Sequence, residues 1–317
     1  METLRQVRGV FFALRRMAHL QFRGRGPVRP GAVGTPRPKI GLALGGGFAR
    51  GIAHAGVLGV LQRHGIPIHC ITGVSAGAIV AAAFASGASP DEIQRAGCTM
   101  RFGHVASWRF GRMGFVASER MERFLVRLLK RYRFEEMQIP LGVIATDLAT
   151  GEPEQFRDSG DVFLPIRASC SYPGLFRPVA WKGRLLVDGA ISVEIPALLA
   201  RQLGATHVIS VHLAAPAGGA VPRNMFQVVN RCFQILQKGN EEVWRRHSDL
   251  VIAPDVREVE WDGFERARDL IRAGEAAAEA ALPAILEWLP ESGAPVADLP
   301  PIVAPASISC STAPVRS

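Results

Sequence analysis

Gly73-Val74-Ser75-Ala76-Gly77 stands between an apolar run, Cys70-Ile71-Thr72, and a small-residue run, Ala78-Ile79-Val80-Ala81. The first run reads as a strand and the second as a helix, so the five residues between them must form a sharp turn. Small flanking residues permit such a turn, and it lifts the serine hydroxyl to the top of a sheet. Free N–H groups at the start of the following helix favour negative charge developing nearby. The pattern reads as a nucleophile elbow centred on Ser75, against the plainer reading of a buried glycine turn. It needs a buried strand running directly into a helix.

The rest of the chain continues that alternation. Ile40–Leu44 reads as a buried strand, followed by a glycine-rich segment and an apolar helix through about His64. His69–Val74 is the next strand and Ala76–Ser86 the helix against it. Ser89-Pro90-Asp91-Glu92 carries the cap, first-turn proline and acids of another helix start. Ser118 opens an amphipathic helix through Met121, Phe124, Leu125, Leu128 and Leu129, and Arg101–Val116 before it reads as a loop or lid. Later strands are expected at Ile139–Ala145, Leu185–Val187, His207–Leu213 and Leu250–Ala253. Helices are expected at 195–203, Asn224–Arg246 and Phe264–Leu289, the last bent or interrupted at Pro283. This spacing predicts an α/β fold, a three-layer α/β/α sandwich with a mostly parallel central sheet. The domain is expected over 39–290, with a helix and Gly/Pro linker over 1–38 and a disordered tail over 291–317.

Charge and cysteine usage narrow the setting. Five scattered cysteines without a CxxC pair imply neither a disulfide framework nor a zinc knuckle, and fit a reducing, cytoplasmic compartment. No run approaches the length of a membrane-spanning helix. The net charge of +9 is concentrated in two places. Residues 1–39 hold nine Arg or Lys against Glu2, and residues 101–133 hold nine against Glu119 and Glu122. Taken as a helix, 4–22 places Leu4, Val7, Val10, Phe11, Leu14, Met17 and Ala18 on one side. Arg5, Arg8, Arg15 and Arg16 adjoin them, although Phe12 and Leu20 break the pattern. Such a stripe suits the interface of an anionic membrane, here the inner membrane, with 23–38 as tether. Packing on the protein's own body, oligomerisation and an Arg-rich organellar presequence are the alternatives. Arg109, Arg112, Arg120, Arg123 and Arg127 offer a second contact with that surface. No zinc-finger or recognition-helix pattern points to nucleic acid.

Two further elements bear on Ser75. Gly45-Gly46-Gly47-Phe48-Ala49-Arg50-Gly51 follows the first strand without GxGxxG spacing or a GK[ST] ending, so it is neither a dinucleotide fingerprint nor a Walker loop. Its bare backbone N–H groups suit an oxyanion hole, against a glycine turn packed under a helix. The base that activates Ser75 has two candidates. His212, near the end of a strand, is the one histidine placed for a triad, whereas His54 reads as a packing residue inside a helix. Asp188, ending Leu185-Leu186-Val187, is better placed, because a carboxylate in a dry pocket gains basicity.

Taken together, Gly45–Gly51, Gly73–Gly77 and Asp188-Gly189-Ala190 resemble the patatin-like phospholipase family, in its bacterial branch related to neuropathy target esterase. Ala145–Leu148 and Ala168–Phe176 resemble that family's intervening stretches, while Ala190 replaces the commoner second glycine. The resemblance spans about 39–290. It implies a lipid acyl hydrolase of the phospholipase or lysophospholipase type, acting on phospholipid, lysophospholipid or other acyl esters. Ser75 would be the nucleophile and Asp188 the base, with no histidine, metal or cofactor. Gly45, Gly46 and Gly47 would form the oxyanion hole. Arg50 would brace the loop or meet a lipid phosphate, and Thr146, Asp147 and Ser169–Ser171 would be structural or pocket-lining. Acyl transfer or thioester hydrolysis by the same pair, and a non-catalytic membrane-associated binding protein, are the competing readings.

Overall fold

The computed structural model describes residues 38–105, 107–111, 114–117, 119–214 and 221–289. The expectations for 1–37, for Ser118 and for the tail from 290 onward lie outside the described residues. The elements, in chain order, begin with β1 (Ile40–Leu44), α1 (Ala53–Arg63), β2 (Ile68–Gly73), α2 (Ala76–Ser86), α3 (Pro90–Thr99) and α4 (Phe102–Val105). A hairpin of β3 (Ser107–Gly111) and β4 (Gly114–Ala117) precedes α5 (Glu119–Leu128), β5 (Leu141–Asp147), β6 (Pro153–Phe156) and α6 (Phe163–Ser169). There follow β7 (Val179–Trp181), β8 (Arg184–Asp188), α7 (Ala197–Gln202), β9 (His207–Val211), α8 (Met225–Arg245), β10 (Leu250–Ile252) and α9 (Ala267–Leu286).

The central sheet runs β10-β9-β1-β2-β5-β8-β7, with β6 paired to β5. From β10 to β5 the neighbours are parallel, and β6 and β8 are antiparallel to β5. Helices cover both sides, as the alternation of strand side chains requires. In β1, Ile40, Leu42 and Leu44 enter the larger apolar cluster with α1, α2 and α9, while Ala43 faces a smaller cluster with Ala197, Ala200 and Trp244. Large residues on one side and Gly41 and Ala43 on the other bring α7 close to the sheet.

Register, rather than chain order, places the site. Gly73 at the end of β2 is level with Val143 of β5, and Asp188 of β8 pairs with Ala145, two residues further on. Asp188 therefore lies just past the end of β2, at the height of Ser75. The expected loop at Arg101–Val116 is instead the short helix α4 and the β3–β4 hairpin, whose ladder closes at Gly111–Gly114. Two strands of four and five residues are too short to show a period. The edge strands β6 and β7 were unforeseen for the same reason. Pro283 lies inside α9, which continues past it to Leu286.

Candidate active site

The turn between β2 and α2 explains its own sequence. Ser75 has φ +52° and ψ −127°, a conformation costly for a residue with a Cβ. A Cβ on Gly77 would stand 2.4 Å from the Leu44 carbonyl oxygen, and one on Gly73 would stand 2.4 Å from that of Gly77. Both glycines are thus fixed by backbone crowding around the serine. The strained residue is held from both sides: its N–H donates to Ser169 Oγ at 2.8 Å, and its carbonyl accepts from Ala78 N–H at 2.9 Å.

Ser75 Oγ donates to Asp188 Oδ2 at 2.8 Å. Asp188 is 1% exposed, and Ala190 N–H donates to its other oxygen, Oδ1, at 2.9 Å. Its backbone is tied as well, with its N–H on the Ser171 carbonyl and its carbonyl accepting from Thr146 Oγ1. Burial pushes the Asp188 carboxyl up to about 7, against the downward pull of the bonds from Ala190 and Ser75. A carboxylate of that basicity, bonded to a hydroxyl, can take its proton near neutral pH.

The glycine loop corrects one expectation. Gly45 N–H donates to the Val211 carbonyl at 3.2 Å, extending the β1–β9 ladder by one residue, so Gly45 is not free as an oxyanion donor. The Gly45 carbonyl accepts from His54 Nε2 at 2.9 Å. Among the described residues the N–H groups of Gly46 and Gly47 have no partner, and Gly46 abuts Ser75. His54, read from sequence as a packing residue, is fully buried against this loop, and burial lowers its imidazole to about 4. A histidine one helical turn after a glycine loop was the available signal. Arg50 braces the loop through Nη1 to the Ala214 carbonyl at 3.4 Å, while its Nε is buried without a partner.

His212 is not bonded to Ser75. It pairs with Glu194 at 3.2 Å, and Glu194 also accepts from Trp244 Nε1. Thr146 and Ser169 are buried supports of Asp188 and Ser75, as read, and Asp147 pairs with Arg184.

Two recesses meet at Ser75. One, of about 40 Å³, is the more polar of the two: Gly46, Gly47, Arg50, Glu194, His212, Asn230 and Gln234 line it beside Phe48, Leu213 and Phe233. The other, of about 50 Å³, is apolar and is lined by Ile79, Met100, Phe102, Met121, Phe176 and Phe264. A second apolar recess of about 50 Å³ shares Ile79 and Met100 with it and reaches Phe124 and Leu128. These last two residues also border an open groove of about 700 Å³ lined by Arg95, Arg120, Arg123, Arg127 and Lys130, the last paired with Glu92. Among the described residues no helix is long and apolar enough to cross a membrane.

The model of the patatin-like phospholipase family matches residues 42–201, from β1 through α7, and so takes in both Ser75 and Asp188. The chain belongs to the patatin-like phospholipase family. A lysophospholipase NTE1 of Mycosarcoma maydis is 30% identical over 226 residues, 69% of this chain and 12% of that protein. An NTE family protein of Mycobacterium tuberculosis is 32% identical over 204 residues, 62% of this chain and 56% of that one. The chain thus spans 12–16% of the length of the first fungal lysophospholipases it matches. Among solved structures, VipD from Legionella pneumophila superposes with a TM-score of 0.48 at 14% identity, covering 85% of this chain and 73% of that one.

Proposed function

We propose that this patatin-like chain is a serine lipid acyl hydrolase, a phospholipase- or lysophospholipase-type esterase with its catalytic domain over 39–290. The observation that carries the reading is the 2.8 Å bond from Ser75 Oγ to a buried carboxylate. Asp188 takes the Ser75 proton as Oγ attacks the ester carbonyl, and the N–H groups of Gly46 and Gly47 receive the oxyanion. Asp188 then returns the proton to the leaving alkoxide. In the second half it activates the water that releases the acyl group from Ser75. The acyl chain lies along the apolar recesses, and the alcohol leaves through the polar one, where Arg50 meets a phosphate. The family match and the names of the fungal relatives support an acyl-lipid substrate.

Membrane contact belongs to the same reading. Residues 1–22 would lie in an anionic interface, and the cationic groove beside α5 would add a second contact. Arg123 and Arg127 of that groove have no ion-pair partner among the described residues.

The test follows free fatty acid from a lysophospholipid by mass spectrometry and p-nitrophenol from a soluble ester. The native protein should release both, and Ser75→Ala and Asp188→Asn should each lose at least about 1,000-fold. Undiminished release by either variant removes the Ser–Asp pair. A transacylated lipid in place of free acid redirects the function to acyl transfer.

A further inference from the structure

We propose that His54 is a positioning residue for oxyanion stabilisation: its Nε2–H holds the Gly45 carbonyl and so aims the Gly46 N–H at the oxygen that becomes negative when Ser75 attacks. The inference rests on the hydrolase reading above and adds a residue to it. A carbonyl can only accept, so the 2.9 Å contact places the imidazole proton on Nε2. The Gly45 carbonyl and the Gly46 N–H belong to one planar peptide unit and point in opposite directions. Fixing the oxygen therefore fixes the direction of the N–H.

Gly46 itself stands beside the nucleophile. A Cβ built on Gly46 would be 3.2 Å from Ser75 Cβ and 3.8 Å from Ser75 Oγ. Three successive glycines offer no side chain to hold their peptides in place, and glycine readily adopts alternative backbone angles. The Val211 carbonyl secures the peptide before Gly45, through its N–H. The peptide after Gly45 has His54 as its hydrogen-bond partner. A donor on the carbonyl also polarises the same peptide's N–H and strengthens it as a donor to an anion.

A packing role alone accounts poorly for a histidine here. His54 is fully buried, and its Nδ1 is buried without a partner. An orphaned buried polar atom is unfavourable, and an apolar side chain would fill the space without one. Burial also keeps the ring neutral, with a single proton that the Gly45 carbonyl draws to Nε2.

The test compares His54→Leu, which keeps bulk and removes the donor, with His54→Gln, whose amide nitrogen reaches about as far as Nε2. On a soluble ester, His54→Leu should lower kcat roughly 10- to 100-fold with KM within about twofold, less than or equal to the loss of a whole oxyanion donor. Phosphonylation of Ser75 by a fluorophosphonate should slow in parallel. His54→Gln should recover kcat to within about fivefold of the native value, whatever the two melting temperatures. Native-like kcat in His54→Leu, or no recovery in His54→Gln, would overturn the proposal. A second measurement needs no variant. In ¹⁵N-labelled native protein the imidazole should be the neutral Nε2–H tautomer. Its Nε2–H and the Gly46 amide proton should both move downfield when Ser75 is phosphonylated. An Nδ1–H tautomer, or no response at either proton, contradicts the proposal even where the leucine variant does not fold. A native protein that neither turns over esters nor reacts with the probe instead counts against the hydrolase reading, while the tautomer still reports on the His54 bond.

Discussion

The two recesses at Ser75 are similar in volume and differ in lining, the first mixing polar with apolar groups and the second almost wholly apolar. The polar one is made of strand ends, the glycine loop and α8, and its groups are tied to one another: Tyr172 to Asn230, His212 to Glu194, Asp188 to Ser75. The apolar one is made of side chains from α2, α4, α5 and the turns after α6, together with Phe48, Met100 and Phe264, and it adjoins a second apolar space. The polar side fixes directions, as transition-state charge requires. The apolar side offers length, as a hydrocarbon chain requires. On the proposed hydrolase reading, the substrate that matches both has an acyl chain on one side of its ester and a polar alcohol on the other.

The largest effect expected from breaking this contrast concerns stability. Asp188 lies on the polar side yet is dehydrated, with its pKa raised from 3.8 to about 7. The folded protein binds this proton more tightly than the unfolded chain does, so stability falls as pH rises from about 4 to about 7. Above that range the cost is fully present. Asp188→Asn mimics the neutral acid, and should match the native protein below about pH 4. It should exceed the native protein by roughly 2–4 kcal/mol above pH 7 in urea titrations. A gap independent of pH would show that burial does not govern this carboxyl.

The next effect is on the apolar side. Ile79 lines both apolar spaces, so Ile79→Trp should close the path between them. The ratio of kcat/KM for a sixteen-carbon over a four-carbon ester should fall about 10- to 100-fold, since each buried methylene is worth about 0.8 kcal/mol. An unchanged ratio places the acyl chain elsewhere. The smallest effect belongs to His212→Ala, which removes a partner of Glu194 and nothing bonded to Ser75. Soluble-ester turnover should stay within about threefold of native; a loss of about 1,000-fold would restore a histidine triad.

The ease of reading these residues from sequence followed how local their constraints are. The Ser75 turn is legible because its Gly-x-Ser-x-Gly spacing is local, although Gly77 is crowded by the distant Leu44 carbonyl, and the Ser89–Glu92 helix start is legible for the same reason. Asp188 lies 113 residues from Ser75 and is marked in the sequence by its strand end and by the Asp188-Gly189-Ala190 motif; the β2–β5–β8 register that unites them has no local signature. The Gly45 N–H is taken up by Val211 because sheet pairing runs one residue beyond β1, which no local pattern marks. His54 reads as packing within an apolar helix; its place just after the glycine loop is the one hint of a role, and the fold supplies its partner, the Gly45 carbonyl. Ser169 was read as structural, but its partner, the Ser75 N–H, emerged only from the fold.

The central claim is that a buried, elevated carboxylate activates Ser75, and the rate of fluorophosphonate labelling as a function of pH tests it most directly. Only ionised Asp188 can accept the hydroxyl proton, so the rate should climb as pH rises through about 7 and then level off. Peptide mapping should locate the adduct on Ser75, and Asp188→Asn should remove both the labelling and its pH dependence. Labelling at another residue, or an unaltered profile in Asp188→Asn, would contradict the account.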